Sequence, residues 1–125
     1  MFLIVDDSSI DRMIAKKSLE VHFKNQKVIE VESGKDALEW LQDNAIHHQE
    51  NIGVLLDIRM PEMNGFDFLD IFTTLSQELK NKVEIIMLSS TLDSKDLERA
   101  ANHTYVKKLL EKPLDVQLLK KLITF

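Results

Sequence analysis

The chain has 125 residues, a formal net charge of −5 and a pI near 5.3, with 44% hydrophobic and 30% charged residues. That is enough apolar surface for one core, and the acidic balance argues against a nucleic-acid binder, which needs a clustered basic face. There is no cysteine, so disulfides and thiolate metal sites are excluded and a reducing, cytoplasmic setting is expected.

Taken in chain order, short runs rich in Val, Ile and Leu alternate with segments of helical spacing. FLIVD (residues 2–6) predicts a first strand, and Ile10, Ile14 and Val21 supply the apolar positions of a first helix. The opening apolar run is broken by Asp6 and Asp7, so it is too short for a membrane span and lacks an export signal. KVIEV (27–31) predicts a second strand. Ser33 and Asp36 form a capping-box pattern before a helix carrying Ala37, Leu38, Leu41 and Ala45. IGVLLD (52–57) is a third strand, followed by a helix with Leu69, Phe72, Leu75 and Leu79 on one face. VEIIML (83–88) is a fourth strand. A helix capped by Asp93 or Ser94 follows it, with Leu97, Ala100 and Ala101 as apolar positions. YVKKLL (105–110) is a fifth strand, and a last helix starts at Asp115 and carries Leu118, Leu119 and Leu122. No repeat or Pro/Gly/Ser-rich linker interrupts the pattern, so residues 1–125 are expected to form one domain.

Strict alternation of strand and helix calls for an α/β, doubly wound parallel sheet with right-handed crossovers. Ligand sites in such sheets lie beyond the carboxyl ends of the strands. Asp6 and Asp7 end strand one, Asp57 ends strand three, Ser89 and Ser90 end strand four, and Lys112 follows strand five. All of them fall on one edge.

The motifs VDD at 5–7, LLDIRMPEMNG at 55–65, IIMLSS at 85–90 and EKP at 111–113, in that order, resemble a response-regulator receiver domain over the whole chain. The resemblance implies a flavodoxin-like (βα)5 fold with strand order 2-1-3-4-5, of the single-domain type, since no output domain follows Phe125.

The residues support the chemistry that this family performs. Three carboxylates close together repel one another, so Asp6, Asp7 and Asp57 call for a hard divalent cation, with magnesium preferred and manganese able to substitute. A carboxylate can attack a phosphoryl group to form an aspartyl phosphate while a cationic side chain neutralises its oxygens. By resemblance, Asp57 is the phosphoacceptor and the donor is a phosphohistidine on a sensor histidine kinase or a phosphotransfer protein. The backbone carbonyl of Arg59 completes the metal ligands, Lys112 pairs with the phosphoryl oxygens, and the Ser89 hydroxyl moves toward the new phosphate. The Lys112–Pro113 bond falls where the family commonly has a cis isomer. Leu109 stands where the family usually has a switch aromatic, so activation is expected to displace residues 91–96 and not a ring. The downstream partner surface is then expected on the fourth helix, fifth strand and fifth helix, where Lys107, Lys108, Lys120 and Lys121 lie, with room for a weak homodimer.

Blander readings compete. Paired aspartates often form only a turn and a cap, and Asp57 could open a loop closed by Gly65, a residue expected wherever φ must be positive. His47, His48 and Glu50 read as a solvated turn, His22 and His103 have no ligand neighbours, and Trp40 reads as a half-buried surface residue. An aspartyl-phosphate phosphatase of another doubly wound family would want an acid two residues after its nucleophile. Arg59 stands there and cannot donate a proton at neutral pH. A receiver used only as a binding module is disfavoured because every group needed for phosphorylation is present.

Overall fold

The computed structural model describes residues 1–125, with elements in the order β1 (Phe2–Val5), α1 (Ser9–His22), β2 (Val28–Val31), α2 (Gly34–Asn44), a 3-10 turn (Ala45–His47), β3 (Ile52–Asp57), α3 (Gly65–Thr73), α4 (Gln77–Asn81), β4 (Val83–Ser89), α5 (Ser94–Ala101), β5 (Val106–Glu111) and α6 (Val116–Leu122). The five strands are parallel in the order β2-β1-β3-β4-β5, as the alternation and the resemblance imply.

Successive side chains of a strand point to opposite faces, and the core divides accordingly. Leu3, Val5, Val54, Leu56, Ile85, Met87 and Leu109 pack on one face with residues of α2, α3, α4 and α5. Phe2, Ile4, Leu55, Ile86, Leu88 and Leu110 pack on the other with Ala15 and Leu19 of α1 and Leu119 of α6. β3 and β4 are buried along their whole length, as continuous apolar runs in a two-sided sheet should be. In β5 the pairing skips from Val106 to Lys108, and the extra residue, Lys107, reaches the buried Glu84 at 2.5 Å.

Helix starts follow local chemistry. Ser8, Ser33, Asn64, Ser76, Asp93 and Asp115 each accept a backbone N–H of the following first turn. The full reciprocal capping box sits at Asn64 and Asp67, not at Ser33 and Asp36, where only the Ser33 half forms.

Three readings of the helices need correction. The third helix ends at Thr73 and a separate short helix, α4, carries Leu79. The hydroxyls of Thr73 and Thr74 bond back to the carbonyls of Leu69 and Ile71, and Ser76 starts the next helix, so the run cannot continue. The fourth and fifth helices of the sequence reading are therefore α5 and α6. On α1, the apolar positions Ile10, Ile14 and Val21 are exposed at 64%, 43% and 61%, while Ala15 and Leu19 face the sheet. Only Ala100 is buried on α5, and Leu118 of α6 is exposed.

Candidate functional site

The carboxyl ends of β1, β3, β4 and β5 open into a cleft of about 370 Å³, lined by Asp6, Asp11, Asp57, Ser90 and Lys112 above a floor of Ile4, Leu55 and Leu88. Asp57 is the last residue of the central strand and is 5% exposed. Asp6 is 4% exposed and Asp7 is open to solvent. Carboxylate oxygens of Asp6, Asp7 and Asp57 lie within 4.8 Å of one another.

The loop after β3 is shaped by Gly65, whose φ is not positive; the positive φ falls instead at Glu62, at 67°. Glycine is required at 65 for space. A Cβ there would stand 2.7 Å from the Asp57 carbonyl oxygen and 2.9 Å from Met87 Cε. The Gly65 N–H donates to the Ile58 carbonyl at 2.8 Å, folding the loop back beneath the aspartate.

Lys112 comes in from the far side, its bond to Pro113 being cis. Its Nζ lies 2.8 Å from Asp6 Oδ2, 2.9 Å from Asp11 Oδ2 and 3.3 Å from Asp57 Oδ1. Burial pulls this ammonium down, but the hydrogen bonds to Asp6 and Asp11 and the charges of Asp57 and Asp6 outweigh it and hold Lys112 above the usual lysine value. For Asp57 the balance runs the other way. Burial and the neighbouring Asp6 charge push its carboxyl up to about 6, against the pull of Lys112 and of the Arg59 backbone N–H. Crowded negative charge on hard oxygen donors is what a divalent cation relieves, so this donor set fits a divalent metal.

The structure thus brings Asp6, Asp7, Asp57 and Lys112 together. Ser89 is fully buried, and its hydroxyl bonds within its own loop: it donates to the Thr91 carbonyl at 2.6 Å. Ser90, not Ser89, faces the cleft. The Arg59 side chain turns outward and pairs with Asp96 of α5 at 3.1 Å.

Two residues near the site escaped the sequence reading. Asp11 joins the Lys112 cluster from the first turn of α1. Arg12 donates to the Asp6 carbonyl at 2.7 Å and pairs with Glu30 at 3.1 Å, tying the β1–α1 junction to β2. The available signal was spacing: helix starts face the same sheet edge as strand ends, so charged residues one turn into α1 are candidates too. The histidines form no site. His48 leans on the half-buried Trp40, with ring centroids 5.9 Å apart, and the only carboxylate group suited to a metal is the Asp6, Asp7, Asp57 trio.

Residues 2–124 match the family described as the response regulator receiver domain. The chain belongs to that family. The receiver is 31% identical to a response regulator receiver protein from Dyadobacter fermentans, with a TM-score of 0.88 over 97% of this chain and 92% of that one. It is 35% identical over 122 residues to the two-component response regulator ORR3 of Oryza sativa, covering 94% of this chain and 85% of the relative. It is also 30% identical over 112 residues to the stress response regulator protein 1 of Candida tropicalis, covering 86% of this chain but 40% of that protein. A receiver acts through its own phosphorylation and dephosphorylation and turns over no external substrate, and the Asp6, Asp7 and Asp57 cluster accords with a phosphoacceptor and metal site.

Proposed function

We propose that this receiver, residues 1–125 as one domain, takes a phosphoryl group from a phosphohistidine onto Asp57 and signals the change to a partner protein. The observation that carries the reading is the placement of Asp57 at the end of the central strand, 3.3 Å from Lys112 and within 4.8 Å of two further carboxylates. An Asp57 oxygen attacks phosphorus, the phosphorus–nitrogen bond breaks, and its electron pair leaves with the imidazole, which takes up a proton. Asp57 then carries a mixed anhydride.

Asp6, Asp7, Asp57 and the Arg59 carbonyl are the ligands we assign to magnesium, with manganese as a substitute. A bound ion would supply charge neutralisation on the phosphoryl oxygens. Lys112 would balance the remaining charge on the phosphoryl group, and the Ser89 hydroxyl is the group that would rearrange toward its oxygens.

The donor is a sensor histidine kinase or a phosphotransfer protein. Ile10, Met13 and Ile14 of α1 are exposed, and Ile14 borders the cleft, which suits an apolar partner surface carrying the phosphohistidine. The downstream partner binds the face of α5, β5 and α6. On that face Lys107, Lys108, Lys120 and Lys121 are all exposed; Lys107 also pairs with Glu84, and Lys120 Nζ sits 5.7 Å from the centre of the Phe23 ring. No helix is long and apolar enough to cross a membrane. The phosphatase reading gains nothing from Arg59, which is exposed and paired with Asp96.

Intact mass after incubation with acetyl phosphate tests the central claim. One added phosphoryl group is expected, dependent on magnesium and absent in Asp57→Asn. Phosphate on a serine or histidine, or undiminished labelling of Asp57→Asn, overturns it.

A further inference from the structure

An ammonium has three protons to share, and on Lys112 they are not shared evenly. The short bonds go to Asp6 at 2.8 Å and Asp11 at 2.9 Å, and the phosphoacceptor Asp57 is left the longest approach, 3.3 Å. Asp6 belongs to the group of three carboxylates whose charge a divalent cation offsets; Asp11 does not. Its hold on Lys112 is therefore the one that metal binding leaves in place.

Asp11 also stands on a well-anchored piece of backbone. It lies in the first turn of α1, where the helix dipole favours negative charge, and its backbone N–H donates to the Ser8 hydroxyl at 3.2 Å. Its side chain is 39% exposed, against 15% for Lys112, so one end of the pair is wet and the other is dry. Such a pair adds little to stability but fixes where the ammonium points.

We propose that Asp11 is a positioning residue for Lys112: it holds the ammonium toward α1 and competes with the incoming phosphoryl group, so that Asp57 is phosphorylated more slowly than the rest of the site would allow. This rests on the reading of Asp57 as phosphoacceptor and Lys112 as its cationic partner. When a phosphoryl group arrives, its oxygens must draw Lys112 away from a carboxylate that neither leaves nor is neutralised.

The test is the initial rate of Asp57 phosphorylation by acetyl phosphate with saturating magnesium, read by intact mass. Wild type, Asp11→Asn, Asp11→Glu, Lys112→Ala and the Asp11→Asn, Lys112→Ala double variant are compared. Asp11→Asn is expected to be faster than wild type by about three- to tenfold, with an unchanged unfolding midpoint, and Asp11→Glu to stay near the wild-type rate. In the Lys112→Ala background the same substitution should change the rate by less than about twofold, since its target is gone. An equal acceleration in both backgrounds would show that Asp11 acts only as a charge in the cleft, and no acceleration in either would show that it does not compete; each result overturns the proposal. Failure of wild type to take phosphate on Asp57 would instead overturn the functional reading beneath it.

Discussion

The Ser89 hydroxyl and Thr91 are closed on each other: the hydroxyl donates to the Thr91 carbonyl at 2.6 Å and accepts the Thr91 backbone N–H at 3.3 Å. Both bonds lie inside the loop that joins β4 to α5. A hydroxyl has one proton, so it cannot donate to a phosphoryl oxygen on Asp57 without releasing the Thr91 carbonyl. In the proposed switch, movement of Ser89 toward phosphate and opening of the loop are therefore one event. The Arg59–Asp96 pair spans from the loop after β3 to α5 and should rearrange with it, although Arg59 is exposed and the pair adds little stability.

Magnesium with beryllofluoride should thus shift the amide resonances of residues 91–96 in wild type. In Ser89→Ala these shifts should largely vanish while phosphorylation of Asp57 persists, and in Ser90→Ala they should remain. Ser89→Ala should lose about 1–3 kcal/mol of stability, since both bonds of the hydroxyl to Thr91, one donated and one accepted, are removed. Amide correlation spectra in which Ser90→Ala, and not Ser89→Ala, lost the response would assign the switch to the wrong serine.

Asp57 gives the metal-free protein a pH dependence whose sign follows from its raised carboxyl. Its value of about 6 in the folded chain exceeds the 3.8 of a free carboxyl, so the folded state binds the proton more tightly. The contribution is fully present below the unfolded value and is lost as pH rises through about 6. Asp57→Asn removes that loss. In chelator, the variant should match wild type near pH 4 and exceed it by about 1–2 kcal/mol near pH 7, after allowance for screening by solvent. Urea unfolding across this range, with wild type and variant paired at each pH, isolates Asp57 from other groups. A gap that widened toward acid would contradict the assignment.

Asp7 separates metal binding from folding because it is exposed while its carboxylate belongs to the trio. Asp7→Ala should leave the metal-free stability within about 0.5 kcal/mol of wild type. It should also abolish most of the upward shift in unfolding temperature that magnesium gives the wild-type protein. Thermal scans with and without the ion decide this, and an undiminished shift would place the metal elsewhere.

Lys112 has a larger structural part than a solvated strand-end lysine would have. Its side chain is 15% exposed and faces three carboxylates, two of them on the buried residues Asp6 and Asp57. Removing it leaves those charges uncompensated. Lys112→Ala should destabilise the metal-free protein by about 2 kcal/mol, and magnesium should restore part of the loss. Beryllofluoride should still fail to give the full wild-type response. Equal stability of variant and wild type in chelator would mean that solvent already screens the cluster.

The strands were legible because a two-sided parallel sheet needs continuous apolar runs, and Ile52–Asp57 matches its predicted bounds. The strand-end acids were legible for the same reason: the topology sends those positions to one edge. Helix faces were less so. Periodicity marks an apolar stripe but not which stripe the sheet covers, and on α1 the small Ala15 and Leu19 pack inward while Ile10 and Ile14 stay out. Gly65 was noticed for the wrong reason, since close approach to the Asp57 backbone leaves no mark in sequence that distinguishes it from a positive φ. Asp11 was missed because its role depends on how α1 leaves β1, which the acidic pair does not reveal.

Leu109 sets how the switch can be read from outside. It is 5% exposed, pairs in register with Met87 of β4, and belongs to the core that includes Ala100 of α5. A leucine held on these sides has one well-packed rotamer and nothing to present at the surface. Motion of the β4–α5 loop must then be seen by a partner directly, through exposed residues such as Leu92 and Leu97. Methyl spectra of labelled leucines, with and without beryllofluoride, should show a large change at Leu92 and almost none at Leu109. Leu109→Ala should cost about 2–4 kcal/mol of stability and still leave the amide shifts of residues 91–96 intact, because in the proposed switch the pull comes from Ser89 and not from a ring filling vacated space. A rotamer change at Leu109 as large as the change at Leu92, or loss of the loop response in Leu109→Ala under conditions where it remains folded, would show that this side chain transmits the signal after all.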